Sequence, residues 1–194
     1  TLNMKKVYII HGWDGYPEEA WIPWLKSKLE KQGLEVFAPA MPNTAAPKMD
    51  KWIPFLTNLV GSVDENTFFV GHSIGNQAIL RFLQDLPENS KVGGIVMVAP
   101  WVNLLEMETE EEKILAKPWL ETPIDFEKVK NHTKNIVAIF SDDDDCVPTT
   151  DEQIFKEKLN AKTFMEHGKG HFSGGDNITD LPIVFNELMK LINQ

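Results

Sequence analysis

The sequence predicts a three-layer α/β/α sandwich built on a mainly parallel sheet of about six strands. Three observations carry this expectation. Short β-rich runs alternate with amphipathic helical stretches along the whole 194-residue chain, and parallel strands need such crossovers. Several runs are almost continuously apolar, the pattern of strands buried on both faces. No Gly/Ser-rich linker divides the chain, and its length suits one domain, 1–194, with a substantial core.

Met4 reads as the native start, with Thr1 to Asn3 as a foreign leader. The apolar run Val7-Tyr8-Ile9-Ile10 is too short for a secretory signal, so a cytoplasmic protein is expected. Strands are expected at Lys6–Ile10, Leu34–Phe37, Thr67–Val70, Gly94–Val98, Asn135–Phe140 and Lys162–Glu166. Helices are expected at Pro17–Gln32, Met49–Val60, Asn76–Asp85, Asp151–Leu159 and Leu181–Ile192. Two of them carry an echo, Trp21-Ile22-Pro23-Trp24-Leu25 and Trp52-Ile53-Pro54-Phe55-Leu56. Each proline should lie in a first helical turn, where N–H groups lack intrahelical partners. Asp50 and Asp151 are the expected N-caps of their helices. The stretch 101–127 interrupts the rhythm with Glu106, Glu108, Glu110, Glu111 and Glu112. It is read as a solvated acidic helix face, with a small lid or an elaborated crossover as the alternative.

Acids outnumber bases, 29 against 19, for a net charge of −10. That balance argues against nucleic-acid and anionic-membrane partners, which require a basic stripe. Arg81 is the only arginine, so bidentate phosphate clamps are scarce. No apolar run approaches the roughly 18–20 residues that span a bilayer. Cys146 is the only cysteine, which excludes an internal disulfide and a thiolate-rich zinc site.

The chemistry is concentrated in Val70-Gly71-His72-Ser73-Ile74-Gly75-Asn76. Gly-x-Ser-x-Gly directly after a strand pattern and before a helix pattern describes a sharp turn that lifts a serine hydroxyl above the sheet. Ser73 would also lie near a helix N-terminus, which favours developing negative charge. A serine hydroxyl needs a general base, normally histidine oriented by a carboxylate. Of the five histidines, His72 lies inside the motif with its ring expected to point away, His11 follows the first strand, and His132 precedes a strand. His167 and His171 lie in a glycine-rich loop after the last strand, where a base belongs. His171, deeper in that loop, is favoured.

The acid should come from another strand end. Ser141-Asp142-Asp143-Asp144-Asp145-Cys146-Val147-Pro148 follows the fifth strand. One aspartate can turn inward while the others stay hydrated, and spacing leaves Asp143, Asp144 and Asp145 open. The chain order Ser…Asp…His matches an α/β-hydrolase sheet. His11-Gly12-Trp13 follows the first strand where an oxyanion loop belongs. The backbone N–H groups of Trp13 and Ile74 are the candidate oxyanion donors.

These residues resemble the α/β-hydrolase superfamily, and within it the small serine hydrolases akin to retinoblastoma-binding protein nine and the YdeN-like proteins. The resemblance covers nearly the whole chain. It rests on Val70-Gly71-His72-Ser73-Ile74-Gly75, Asp144-Asp145-Cys146-Val147-Pro148 and Gly170-His171-Phe172. In that family the acid lies four positions before the Val-Pro proline, which implies Asp144. Some relatives carry a Gly-rich first loop in place of His11-Gly12-Trp13. The resemblance also implies the sheet order 2-1-3-4-5-6, with a crevice above the first and third strands.

The expected activity is hydrolysis of small carboxylic esters or related acyl compounds by Ser73, His171 and Asp144, without cofactor or metal. Trp13, Trp101 and Trp119 are candidate walls of an acyl pocket. Two rivals belong to other classes. One is a non-catalytic protein-binding module on the same scaffold, and the other is metal-assisted hydrolysis by His11, Asp14 and the aspartate run.

Overall fold

The computed structural model describes residues 4–194, so the proposed leader Thr1–Asn3 lies outside the described residues. The strands are β1 (Lys6–Ile10), β2 (Glu35–Phe37), β3 (Thr67–His72), β4 (Gly94–Val98), β5 (Ile136–Ser141) and β6 (Lys162–Glu166). The helices are α1 (Ile22–Glu30), α2 (Met49–Val60), α3 (Ile74–Gln84), α4 (Glu110–Glu121), α5 (Phe126–His132), α6 (Asp151–Leu159) and α7 (Pro182–Ile192).

One six-stranded sheet has the order β2-β1-β3-β4-β5-β6, and every adjacent pair is parallel. The order reverses at β1, so the connections leaving β1 and β3 diverge and open a crevice at their C-terminal ends. Helices α2, α3, α5 and α6 pack in succession on one side, and α1 and α7 pack together on the other. All residues of β3, β4 and β5 are buried, as their continuous apolar runs require. Tyr8 stacks against Phe37 and Phe69 across neighbouring strands, with centroids 4.9 and 5.7 Å apart.

Helix α3 runs through the interior, with Ile74–Leu83 all buried. Each fully buried Leu, Ile or Phe there contributes about 1.5–3 kcal/mol. Three core tryptophans also bond loops to the core through their indole N–H groups. Trp21 donates to the Phe172 carbonyl, Trp52 to Pro42 and Trp119 to Pro47. Trp119 is 1% exposed and is core, not pocket wall.

Three local expectations are corrected. Helix α1 starts at Ile22, not Pro17, because Pro23 occupies its first turn and Ala20 has φ +54°, outside helical backbone. Pro54 lies inside α2; it is exposed, on a face where solvent reaches the carbonyl it leaves unpaired. The caps are also displaced: Lys48 precedes α2, placing Asp50 in its first turn, and Thr150 precedes α6. The acidic helix face expected in 101–127 lies on α4, opened by a reciprocal capping box between Thr109 and Glu112. No helix is long and apolar enough to cross a membrane among the described residues.

Candidate active site

The Gly-x-Ser-x-Gly turn joins β3 to α3, and each glycine has a steric reason. A methyl group on Gly75 would sit 2.6 Å from the His11 carbonyl oxygen, and one on Gly71 2.8 Å from Asn76 Cγ. Neither site admits a side chain, so strand and helix cross closely. Ser73 adopts φ +53°, ψ −121°, a conformation that costs a non-glycine residue about 1–3 kcal/mol. Its N–H bonds to the Val98 carbonyl at 2.9 Å, and Asn76 Nδ2 donates to the same oxygen at 2.9 Å. These bonds hold the strained turn against β4.

The structure brings Ser73, His171 and Asp144 into one line. Ser73 Oγ lies 2.9 Å from His171 Nε2, and His171 Nδ1 lies 3.0 Å from Asp144 Oδ2. The carboxylate faces Nδ1, so Nδ1 carries the proton and Nε2 presents its lone pair to the hydroxyl. The Asp144 side chain is 3% exposed. Its Oδ1 also accepts the Cys146 and Val147 N–H groups at 2.8 and 3.0 Å. Trp101 Nε1–H donates to Ser73 Oγ at 3.2 Å.

The other three aspartates stay exposed, as expected, and two of them also bond the histidine loop. Asp142 accepts from Gly168 N–H and pairs with His167, and Asp143 accepts from Gly170 N–H. From the far side, Asp176 accepts the His171 N–H at 3.0 Å. The histidine loop is thereby clamped by carboxylates at several backbone positions. Hydrogen bonds from Gly168 and then His167 pull Asp142 below the usual carboxylate range, and Asp142 in turn raises His167. His167 is exposed and away from the serine.

His72 points away from the serine, and it has a role that sequence inspection overlooked. Its Nε2–H donates to the His171 carbonyl at 2.7 Å, pinning the backbone beneath the ring that faces Ser73. Burial, then the neighbouring His171, lowers its pKa to about 3, so it stays neutral. The indole of Trp21 packs edge-on beside it, with centroids 5.8 Å apart. A histidine adjoining Ser73 in sequence was the available signal.

His11 is not a metal ligand. Its Nε2 accepts the Met41 N–H at 3.0 Å and its Nδ1–H donates to Gly12 O at 2.8 Å, which occupies both ring nitrogens. Burial lowers its pKa, consistent with a neutral structural ring. Asp144, Cys146 and His171 do offer donor atoms within 4.8 Å of one another. Desolvation, followed by the charges of Asp145 and Asp144, pushes the exposed Cys146 thiol up to about 12. The Asp144 carboxylate among these donors is already engaged by His171 and by the Cys146 and Val147 N–H groups.

Trp13 and Ile74 both border the serine. Among the described residues, neither N–H donates to a backbone carbonyl in the turns and caps, so both are free for an anionic oxygen. A methyl group on Gly12 would lie 3.4 Å from Ser73 Cβ, which shows how closely the first loop passes. A cavity of about 410 Å³ opens over the serine, lined by Trp13, Trp101, Leu104, Leu105, Met107 and their neighbours. Six carboxylates, on Asp14, Glu19, Glu106, Glu108, Glu112 and Asp145, join that lining, which holds no lysine or arginine.

Residues 7–190 match the family model described as serine hydrolase. The chain belongs to the serine hydrolase family. This serine hydrolase is 33% identical over 192 residues to YdeN of Bacillus subtilis (strain 168), covering 98% of the chain and 97% of YdeN. It is 27% identical over 183 residues to serine hydrolase RBBP9 of Rattus norvegicus, covering 94% and 85% of the two chains. The crystal structure of the B. subtilis ydeN gene product superposes with a TM-score of 0.90 at 30% identity, covering 98% of this chain and 100% of that one. Est1E from Butyrivibrio proteoclasticus, solved with ferulic acid bound, gives 0.74 at 16% identity, with 98% and 90% covered. That last likeness establishes a shared fold.

Proposed function

We propose that this serine hydrolase cleaves small carboxylic esters or related acyl compounds through an acyl-enzyme on Ser73. The observation that supports it best is the hydrogen-bonded line Ser73 Oγ, His171, Asp144 at the floor of a water-accessible cavity. His171 Nε2 takes the hydroxyl proton as Oγ bonds to the acyl carbon, and the carbonyl π pair moves onto oxygen beside the Trp13 and Ile74 N–H groups. Collapse expels the alcohol, which leaves with the proton held by His171. Water then attacks the acyl-serine, gives its proton to His171, and the carboxylic acid is released as Oγ recovers a proton. Asp144 holds the productive tautomer and stabilises the imidazolium throughout.

A cavity of this size suits acetyl and butyryl groups better than long lipid chains. Its carboxylate rim disfavours anionic substrates. The segment carrying Leu104–Glu108 and Glu112 supplies much of that rim, the role of a short fixed lid. Ser73→Ala is expected to lower turnover of p-nitrophenyl acetate by roughly 10⁴–10⁶ and to abolish labelling by a fluorophosphonate probe. Retained esterase activity in that variant would refute the nucleophile. An unlabelled wild type would instead support a non-catalytic binding module.

A further inference from the structure

We propose that the Trp101 indole N–H is a catalytic hydrogen-bond donor to the nucleophile, acting on Ser73 Oγ alongside His171. The proposal rests on Ser73 being the nucleophile. An indole nitrogen donates and never accepts, so at 3.2 Å it obliges Oγ to act as acceptor toward Trp101. The hydroxyl proton is then directed to the remaining partner, His171 Nε2, at 2.9 Å. A serine hydroxyl otherwise rotates to suit its surroundings. Here the rotor is set in the orientation that proton transfer requires.

The indole is held in place by more buried polar structure than packing alone needs. Trp101 is 1% exposed. Its carbonyl accepts from Gln77 Nε2 at 2.8 Å, and Gln77 Oε1 is fixed by Arg81 Nε at 3.1 Å. Just beyond it, Asp151 Oδ2 accepts the Val102 and Asn103 N–H groups, and Oδ1 accepts Asn103 Nδ2, at 2.8–2.9 Å. Asp151 is fully buried, and its carboxylate is engaged with this one segment. Two residues earlier, Ala99 takes φ +48°, turning the chain out of β4. The donor is preorganised on both sides of its backbone.

The chemical consequence follows the charge on Oγ. During attack the proton passes from Oγ to His171 Nε2 as the Oγ–C bond forms, and Oγ carries partial negative charge between the two events. During deacylation the Oγ–C bond breaks and Oγ regains a proton from His171, passing through the same charge. The Trp101 N–H transfers nothing. It bonds more strongly to the charged oxygen than to the neutral hydroxyl, and that difference lowers both barriers.

The test replaces Trp101 by β-(3-benzothienyl)alanine, which keeps the two-ring shape and substitutes sulfur for N–H, with Trp101→Phe in parallel. Removing a preorganised donor of this kind costs up to 10²–10³ in rate. With His171 retained, the fluorophosphonate labelling rate and kcat for p-nitrophenyl acetate should fall about 10–100-fold. KM should stay within about twofold, because the bond strengthens only as charge develops, and the melting temperature of the benzothienyl protein should match wild type. Benzothienyl rates within about threefold of wild type, with normal wild-type labelling, would overturn the donor role alone. Absence of wild-type labelling would overturn the nucleophile and this proposal together.

Discussion

Replacing Asp144 by asparagine tests the proton path with almost no change of shape. Asp144 Oδ1 already accepts the Cys146 and Val147 N–H groups at 2.8 and 3.0 Å, so the amide oxygen of the variant must occupy that position. Its NH₂ group then faces His171 Nδ1, 3.0 Å away in the native protein. Two donors cannot face each other, so the imidazole takes the other tautomer, with its lone pair on Nδ1 and a proton on Nε2. The nitrogen beside Ser73 Oγ can no longer accept a proton. The side chain is 3% exposed, which limits screening by solvent. The expected loss in kcat is about 10⁴, or roughly 5 kcal/mol of barrier. The assay is steady-state hydrolysis of p-nitrophenyl acetate near neutral pH, with a thermal melt to show that the fold persists. A loss below about tenfold in a protein of unchanged stability would refute the claim that this carboxylate sets the tautomer.

Three other outcomes are expected. Arg81→Met removes bonds to Gln77 Oε1 and to the Trp119 and Thr122 carbonyls; urea titration should show a loss of about 2–4 kcal/mol, and a smaller change than about 1 kcal/mol would mean these groups re-pair. His72, held near 3 when folded, binds its proton near 6.5 once unfolded, so stability should fall as pH drops from about 6.5 to 5, by up to roughly 2 kcal/mol. His11 adds in the same direction, whereas the raised His167 opposes it; denaturant melts should show a flatter slope for His72→Gln, and an unchanged slope would contradict the assignment. The six rim carboxylates, taken at about 10 Å from a substrate charge, each contribute about 0.1 kcal/mol at 0.15 M salt. Summed over six, a cationic ester should be preferred over an anionic isostere about tenfold in kcat/KM, with the preference vanishing near 1 M salt; a preference for the anion would rule out this account of the rim.

Much of the scaffold is visible in local sequence because local physics decides it. Strands β1, β4 and β6 and helices α2 and α6 have the bounds expected from their apolar runs. The bounds of helix α4 were obscured by its acidic surface and by Pro118 within it, although Thr109-Glu110-Glu111-Glu112 spells out a capping box. Asp125 capping α5 was hidden in the same polar stretch. At the site, Ser73 was legible because strand, turn and helix patterns coincide within ten residues. Asp144 was not separable from its neighbours by spacing, since the choice depends on which side chain the β5 turn aims inward. Asp143, Asp151 and the His72 pin were invisible for a related reason. Each bonds a backbone segment brought close only by the sheet order, His72 to His171 across 99 residues.

The carboxylate clamp on the histidine loop shapes how such a protein would respond to different molecules. With Gly168, Gly170 and His171 all tied down by side chains, the imidazole is seated before anything arrives, and association need not fold a flap into place. Acylation rates across a series of esters would then rank with the acidity of the departing alcohol. A site that had to assemble itself around each visitor would show the flatter profile of a common mechanical step.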